Sequence, residues 1–301
     1  MSVFLCGQWA AGEASDWLAH LRRALPEETV VADLEGVDRA GIDIAVVANP
    51  PPGSLASLPG LRLIQSLWAG VDRLLADPGL PPHLPLARMV DPAMNAAMAE
   101  TALWAVLALH RGFFAYARQQ QVRHWQALPQ TRADEWRVAV LGMGQMGGAV
   151  AARLRAQGYT VQGWRASDGP AALQPLLATS HTVVNLLPLT PATRGLLDAR
   201  FFAAMAPGAG LVNLARGAHV VDADLLAALD AGQVSHAVLD VFHTEPLPPG
   251  HAFWSHPGVT VLPHAAAQTD PRSAAAVVAA NVRALRAGRP LAHQVDRGRG
   301  Y

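Results

Sequence analysis

A glycine-rich turn between an apolar run and a helical pattern constrains this chain more than any other feature. The run Arg137–Leu141 leads directly into the turn Gly142-Met143-Gly144-Gln145-Met146-Gly147, and a helical pattern covers Val150–Gln157. Between a strand and a helix, such glycines permit a tight turn, a close approach of the backbone to a phosphate, and close packing. The free N–H groups at the helix start attract an anion. The turn therefore predicts a dinucleotide-binding site; the alternative is a plain strand–turn–helix whose glycines serve packing alone.

Apolar runs alternate with helical patterns along most of the chain. The predicted strands are Val3–Cys6, Ile42–Val47, Leu61–Leu67, Arg137–Leu141, Thr160–Trp164, His181–Leu186, Gly210–Leu214, His236–Val241 and Val259–Leu262. The predicted helices are Ala14–Ala24, Pro92–Arg123, Val150–Gln157, Asp198–Met205, Asp222–Ala231 and Pro271–Ala287. Because strands that alternate with helices form parallel sheets, the fold class is α/β, with two halves joined by the long Pro92–Arg123 helix.

Composition excludes several classes of protein. The 301 residues suit about two domains, and the 23 basic residues balance the 23 acidic ones, which argues against a nucleic-acid partner held by bulk charge. Every basic residue is an arginine, so a Schiff-base lysine and the lysine of a P-loop are absent. The chain has no G-x-S-x-G, H-E-x-x-H or paired C-x-x-C motif, so no metal site is expected.

The expected location is the cytoplasm, with no membrane contact. Cys6 is the single cysteine, so an intrachain disulfide is impossible and a reducing compartment fits. The start of the chain lacks the basic segment of a secretory signal. The longest stretch without charged residues, Gly169–Thr193, contains four prolines and does not suit a membrane span.

The residue at the end of the second strand after the glycine turn selects the cofactor. An acidic residue there binds the ribose hydroxyls of NAD, but this chain has Arg165, and the next carboxylate is Asp168. An arginine can pair with a 2′-phosphate. The sequence therefore predicts NADP(H) in preference to NAD(H), with NAD(H) still possible; the alternative is that Arg165 is a solvated loop residue.

Three further motifs follow predicted strands in the second half of the chain. They are Asn213-Leu214-Ala215-Arg216-Gly217, Asp240-Val241-Phe242-His243-Thr244-Glu245-Pro246 and Pro263-His264. With the glycine turn, this order resembles the D-isomer-specific 2-hydroxyacid dehydrogenase family over most of the chain, including the Ala69-Gly70-Val71-Asp72 and Leu187-Pro188-Leu189-Thr190 segments. Within that family, Pro50–Gly53, Ser66–Asp72 and His251–Pro257 look most like the glyoxylate/hydroxypyruvate reductase A branch.

The chemistry of 2-oxo acid reduction suits the residues of these motifs. His264 fits the proton donor, since histidine titrates near neutral pH. Glu245 would hold the imidazole and raise its pKa. Arg216 can bind carboxylate and carbonyl oxygens with its planar guanidinium. Each residue also has a structural alternative, such as a surface ion pair for Glu245.

The resemblance implies further site residues. The cofactor-binding residues would be Gly142, Gly144, Gln145, Met146, Gly147, Trp164, Arg165, Leu187, Pro188, Thr193, Leu214, Ala215, Asp240 and Ala266. The substrate-binding residues would be Ala48, Trp68, Ala69 and Gly70, with Trp68 either a pocket wall or core. Ala48 replaces a tryptophan common in the branch, which would open space for a bulkier or aromatic 2-oxo acid.

The resemblance also implies the architecture. Residues 1–92 with 268–301 would form a flavodoxin-like substrate domain, and 93–267 a Rossmann dinucleotide-binding domain, with the active site in the cleft between them. A homodimer through the cofactor domain is expected. The expected activity is NADPH-dependent reduction of a small 2-oxo acid, such as glyoxylate or hydroxypyruvate, to the D-2-hydroxy acid. Two other functions stay open: a corepressor-like NAD(P) sensor that binds partner proteins, and a formate or phosphonate dehydrogenase.

Overall fold

The computed structural model describes residues 2–301, which divide into two compact units. The first unit runs to Met94 and includes Thr269–Tyr301, and the second unit is Asn95–Gln268. These divisions lie within two residues of the domain boundaries expected from the sequence. Each unit contains one parallel sheet with its own helices, so the α/β fold class predicted from the sequence is confirmed.

The sheet of the first unit has five parallel strands in the order β2-β1-β3-β4-β5. The strands are β1 Ser2–Gly7, β2 Thr29–Val31, β3 Ile42–Ala48, β4 Leu63–Ser66 and β5 Leu86–Ala87. Its helices are α1 Glu13–Ala24, α2 Asp72–Leu75 and, from the end of the chain, α9 Pro271–Arg286. This strand order is that of flavodoxin-like folds.

Helix α9 is held to the first unit by charge as well as by packing. Its Asp270 cap accepts a hydrogen bond from the Arg272 amide at 2.9 Å, and Pro271 fits the first turn. At the other end, the Arg286 guanidinium binds the Glu28 carboxylate at 2.6 Å and the Asp43 carboxylate at 2.9 Å. The two carboxylates are almost completely buried; Arg286 neutralises both, and Arg62 lies 4.0 Å from Asp43.

The sheet of the second unit has six parallel strands in the order β11-β10-β9-β8-β6-β7. The strands are β6 Arg137–Leu141, β7 Thr160–Trp164, β8 Thr182–Asn185, β9 Ala209–Asn213, β10 Val234–Leu239 and β11 Val259–Val261. The helices are α3 Pro92–His110, α4 Phe113–Gln121, α5 Gln145–Ala156, α6 Pro170–Thr179, α7 Ala199–Ala204 and α8 Asp222–Asp230. The strand order reverses between β6 and β8, and ligands bind beside such switch points.

The single helix predicted over Pro92–Arg123 is wrong. The structure has two helices, α3 and α4, separated at Arg111 and Gly112. Gly112 has a φ of 70°, a left-handed conformation that glycine adopts without a steric penalty and that ends a helix. The glycine was inside the predicted helix because the apolar pattern continues on both sides of it.

Helix α3 is long and apolar enough to pass a composition test for a membrane span. In the second unit, however, Met98, Ala102, Ala105 and Val106 of this helix belong to a buried core with strands of the sheet. Packing in the core of the second unit therefore explains why this helix is both long and apolar.

Candidate active site

The glycine turn after β6 forms a cradle that a side chain would fill. Gly142 has a φ of 96°, and a Cβ there would lie 2.5 Å from the Leu186 carbonyl oxygen. A Cβ on Gly147 would lie 1.9 Å from the Gly142 carbonyl oxygen, which is too close for any residue but glycine. Gly144 faces open space at the start of α5. The turn therefore fits a phosphate group, which Gln145 and Met146 would border.

Two charged side chains follow β7 next to this turn. The Arg165 guanidinium donates to the Met143 carbonyl oxygen at 3.1 Å, so its charge lies beside the glycine turn. The Asp168 carboxylate accepts from the Arg165 backbone N–H at 2.8 Å. Both residues are exposed at the end of β7, and their contact with the adenosine end of a dinucleotide stays a prediction.

Several residues predicted to bind the cofactor have side chains in the core. Trp164 is 5% exposed, and its indole N–H donates to the Gly169 carbonyl oxygen at 3.0 Å. The other buried members are Leu187, Leu214, Ala215 and Ala266. Because these side chains are buried, only the backbone atoms of these residues are suited to contact a cofactor, and that contact stays a prediction.

The Thr193 hydroxyl, which was predicted to contact a cofactor phosphate, makes hydrogen bonds within its own loop. Its hydroxyl donates to the Pro188 carbonyl oxygen at 2.7 Å and accepts from the Thr190 N–H at 2.9 Å. The side chain is 2% exposed, so it closes the loop after β8. Thr193 therefore shapes the loop through these bonds, and a direct contact with phosphate stays a prediction.

His264 and Glu245 form a hydrogen-bonded pair in the second unit. The imidazole Nδ1 lies 2.8 Å from Glu245 Oε2, and Glu245 Oε1 accepts the Phe242 N–H at 2.9 Å. The hydrogen bond from Glu245 raises the pKa of His264, although burial opposes it. Burial raises the pKa of Glu245, but the bonds from His264 and Phe242 outweigh it and lower that pKa overall. A raised pKa favours a protonated imidazole near neutral pH, as a proton donor requires.

Asp240 fixes the backbone of the segment that carries His264. Its carboxylate is 1% exposed and accepts the N–H groups of Ala265 at 2.7 Å and Ala266 at 3.0 Å. His264 has a φ of 55°, which is unfavourable for a residue with a Cβ, and its N–H donates to the Asp240 carbonyl oxygen. Thr101 of α3 also donates to the Ala266 carbonyl oxygen at 2.9 Å. These bonds fix the backbone that carries the imidazole.

Arg216 follows β9, close to the pair of His264 and Glu245. Its charge lowers the pKa of both groups, after the larger effects of their mutual bond and of burial. A Cβ on Gly217 would lie 2.0 Å from the Phe242 carbonyl carbon, so only glycine allows this close approach of the two loops. The three residues predicted as catalytic are therefore brought together in one unit.

A buried polar network beneath these loops was missed by the sequence analysis. The Asn185 amide donates to Asn213 Oδ1 at 2.9 Å and to His219 Nδ1 at 3.0 Å. Asn213 in turn donates to the Arg216 carbonyl oxygen at 3.0 Å. His219 is fully buried. The signal was available, because an asparagine ends two apolar strand patterns, β8 and β9.

The predicted substrate residues lie in the first unit, after β3 and β4. The Trp68 backbone and the Ser66 hydroxyl exchange hydrogen bonds, which fixes the start of the Trp68-Ala69-Gly70 loop. Ala48 is fully buried at the end of β3. This burial argues against a direct contact of Ala48 with substrate, so the wider pocket inferred from it stays a prediction.

Two cavities lie in the second unit. One of about 360 Å³ borders the segment after His264 and is lined by Glu100, Thr101, Trp104, Leu262, Ala265 and Ala266. The other, of about 620 Å³, lies near the starts of β6 and β7, where Asp134 and Tyr159 line it. Both are shallow and open to solvent, and the smaller one lies at the carboxyl ends of the strands, where ligands bind in parallel sheets.

Comparisons with known proteins agree with this geometry. Residues 103–266 match the family model described as D-isomer specific 2-hydroxyacid dehydrogenase, NAD binding domain. The chain therefore belongs to the D-isomer specific 2-hydroxyacid dehydrogenase family.

Individual relatives match along the whole chain. A glyoxylate/hydroxypyruvate reductase A from Serratia proteamaculans is 43% identical over 96% of both chains. A D-isomer specific 2-hydroxyacid dehydrogenase from Xanthobacter autotrophicus, solved with NADPH and MES, has a TM-score of 0.93 and 39% identity over 99% of this chain and 100% of its own. An NADPH-dependent glyoxylate/hydroxypyruvate reductase from Sinorhizobium meliloti, solved with NADP and sulfate, has a TM-score of 0.92 and 35% identity over 100% of both chains.

Proposed function

We propose that this protein reduces a small 2-oxo acid to the D-2-hydroxy acid with NADPH. The observation that carries the proposal is the 2.8 Å bond between His264 Nδ1 and Glu245, in the unit that also contains Arg216 and the glycine cradle. The reductase relatives with 40% identity or more support the reaction class. The relatives solved with NADP or NADPH, together with Arg165 beside the cradle, support the choice of cofactor.

The chain's own residues divide the work of this reaction. Glu245 holds Nδ1 of His264, so that Nε2 is the nitrogen left to donate a proton to the carbonyl oxygen as it gains negative charge. Arg216 binds the carboxylate and carbonyl oxygens of the substrate, and the Ala69 and Gly70 amides bind its carboxylate. The hydride is supplied by the reduced nicotinamide when the cofactor is bound.

Steady-state oxidation of NADPH and NADH tests the proposal. The acceptors are glyoxylate, hydroxypyruvate, pyruvate, 2-oxobutyrate and phenylpyruvate. We expect turnover with NADPH, and a loss of kcat of about 10²-fold or more in His264→Gln. Retention of NADPH binding by this variant shows that it is folded. Binding of NADPH without turnover of any acceptor would refute the reductase proposal and favour a partner-binding sensor.

We also propose that the protein is a cytoplasmic homodimer that contacts neither nucleic acid nor membrane. The second unit exposes five large apolar side chains, of Trp104, Phe113, Val122, Trp125 and Trp254, and the Trp125 side chain is 100% exposed. Exposed apolar side chains of this kind suit a protein interface. Light scattering after size exclusion should give about twice the 31.7 kDa chain mass. A single-chain mass at micromolar concentration would contradict the dimer.

A further inference from the structure

A fully buried histidine of the second unit is bonded to two neighbouring loops. Strands β8 and β9 are paired in parallel, and their last residues, Asn185 and Asn213, lie opposite each other. One loop follows Asn185, and the other follows Asn213 and contains Arg216. His219 comes three residues after Arg216 and is fully buried. Since buried polar groups need hydrogen-bond partners, the bonds of this imidazole show what it holds in place.

Backbone groups fix the orientation of both asparagine amides. The Leu187 N–H donates to Asn185 Oδ1 at 3.3 Å, so the Asn185 amide nitrogen is left to donate elsewhere. That nitrogen donates to Asn213 Oδ1 at 2.9 Å and to His219 Nδ1 at 3.0 Å. The Asn213 amide nitrogen donates to the Arg216 carbonyl oxygen at 3.0 Å. Both hydrogens of the Asn185 amide are therefore used, one on each neighbouring side chain.

The same bonds assign the hydrogen of the His219 ring. Because an amide nitrogen only donates, His219 Nδ1 is the acceptor and the ring hydrogen lies on Nε2. Nε2 donates to the Pro188 carbonyl oxygen at 3.3 Å. The Thr193 hydroxyl donates to the same oxygen at 2.7 Å. A carbonyl oxygen has two lone pairs, so these two donors together hold the loop after β8.

His219 therefore acts on a different loop through each ring nitrogen. Nε2 holds the Pro188 carbonyl directly. Nδ1 holds the Asn185 amide, which bonds to Asn213, and Asn213 holds the Arg216 carbonyl. A buried donor left without an acceptor costs more free energy than a typical bond contributes. The loss of either nitrogen should thus disturb the loop that it serves.

We propose that His219 is a positioning residue, which sets the loop after β8 for the cofactor and Arg216 for the substrate. This inference rests on the proposed function, which gives Leu187 and Pro188 to NADPH and Arg216 to the 2-oxo acid. The imidazole is fully buried, so it acts on both ligands through these neighbours.

Two substitutions of His219 each remove one of the two bonds. In His219→Asn, the amide oxygen replaces Nδ1 and the donor to Pro188 is lost. We expect the Kd of NADPH, titrated without an acceptor, to rise about fivefold. With saturating NADPH, kcat/KM for glyoxylate should stay within about twofold of the wild type, because the bonds to Asn185 and onward to Arg216 remain.

The second substitution should have the opposite preference. In His219→Gln, the amide nitrogen replaces Nε2 and the acceptor for Asn185 is lost. We expect kcat/KM for glyoxylate at saturating NADPH to fall about fivefold. The Kd of NADPH should change less, since the bond to Pro188 is kept and only the Leu187 contact of Asn185 is disturbed.

His236→Gln is the matched control. His236 is also a buried histidine of the second unit, and its Nε2 bonds to the Thr260 hydroxyl at 2.8 Å. It lies opposite Gly210 near the start of β9, whereas the site follows the ends of the strands. Both ligand constants should stay within about twofold of the wild type, even where the thermal midpoint falls.

A non-reacting acid separates this inference from the proposed reaction. Oxamate resembles pyruvate but is not reduced, so its effect on the thermal midpoint of the NADPH complex measures binding alone. We expect oxamate to raise this midpoint less in His219→Gln than in the wild type, and equally in His219→Asn. If these shifts hold while no 2-oxo acid is reduced, the positioning role stands and the reductase proposal fails.

Two results would overturn the positioning role. Lower thermal midpoints with unchanged constants for both ligands would make His219 a structural residue only. Equal losses for both ligands in both variants would show a general loosening of the unit. If His219→Asn does not fold, Thr193→Val removes the other donor to the Pro188 carbonyl and should also raise the Kd of NADPH; an unchanged Kd would contradict the cofactor half.

Discussion

The bond between Glu245 and His264 gives the activity a specific pH dependence. Because Glu245 raises the pKa of His264, the proton donor stays charged to higher pH, and the rate of reduction falls only as pH passes that raised pKa. Glu245→Gln removes the negative charge but keeps a hydrogen-bond acceptor. We expect its kcat to fall about 10²-fold at neutral pH and the basic limb of the pH–rate profile to move to lower pH.

A carboxylate at the start of helix α8 provides the control for Glu245→Gln. Asp222 lies 3.5 Å from His243 and 3.3 Å from His251, so Asp222→Asn also removes a charge beside imidazoles in the second unit. Its profile should keep the basic limb of the wild type. A Glu245→Gln profile with an unmoved limb would mean that another group titrates.

Substitutions of Arg165 and Asp168 are expected to have opposite effects on kcat/KM for NADPH. Arg165→Ala should lower kcat/KM for NADPH by about tenfold and leave NADH nearly unchanged, because the lost pair involves only the 2′-phosphate. Asp168→Asn should improve NADPH slightly by removing a repulsive charge. The matched control is Arg153→Ala, an exposed arginine on α5. Equal losses for both cofactors in Arg165→Ala would assign its charge to a part that NADPH and NADH share.

The sequence predicted the charged residues of the candidate site better than its buried supports. His264, Glu245 and Arg216 stand in motifs whose order carries information, so they could be named before their 2.8 Å contact was known. His219 is fully buried and bonded to Asn185, but a lone histidine after a loop has no distinguishing pattern.

At the scale of elements, helices and strands with a strong hydrophobic periodicity were predicted from the sequence, whereas short or irregular elements were not. Strands β2 and β5 have three and two residues, too few for an alternation to register. Helix α6 was not predicted from the sequence, and Pro170 occupies its first turn, where the missing N–H costs nothing. Helix α5 begins at Gln145, inside the glycine turn, because the turn itself is the helix start.

The end of α9 provides a stability prediction for the first unit. Arg286→Met leaves the buried Glu28 carboxylate without its cation and leaves Asp43 with Arg62 alone, 4.0 Å away; each carboxylate is 7% exposed or less. We expect the free energy of unfolding to fall by about 3 kcal/mol. The measurement is chemical denaturation followed by circular dichroism. Arg289→Met, which removes an exposed arginine just after the same helix, should change it by about 0.5 kcal/mol or less.

At the scale of the whole molecule, both units contain a parallel sheet, but the order of the strands in each sheet could not be predicted from the sequence. Alternating patterns predict parallel sheets in both units, but the order in which strands pair depends on how the helices cross over them. Strand β7 pairs only with β6, so it is an edge of the second sheet, and the chain after it passes through Arg165 and Asp168 into α6. That edge leaves the proposed adenosine end of the cofactor site bordered by those two side chains.

A buried histidine in the second unit makes the free energy of unfolding fall as the pH is lowered. His236 is 5% exposed, stacks on Phe114 at 4.0 Å, and bonds to the Thr260 hydroxyl at 2.8 Å. Burial first, and then the charges of Arg118 and His256, lower the pKa of His236 from 6.5 to about 4. The unfolded chain therefore takes up this proton at a higher pH than the folded protein does.

The sign of the acid effect follows from this difference in pKa. The contribution of His236 is complete above pH 6.5 and is lost as pH falls toward about 4, at a cost of about 3 kcal/mol. Urea denaturation at several pH values should show this slope in the wild type and a smaller slope in His236→Gln, whatever the absolute stability of the variant. His83→Gln, an exposed histidine of the first unit, should keep the slope of the wild type. An identical slope in His236→Gln would mean that the acid sensitivity comes from other groups.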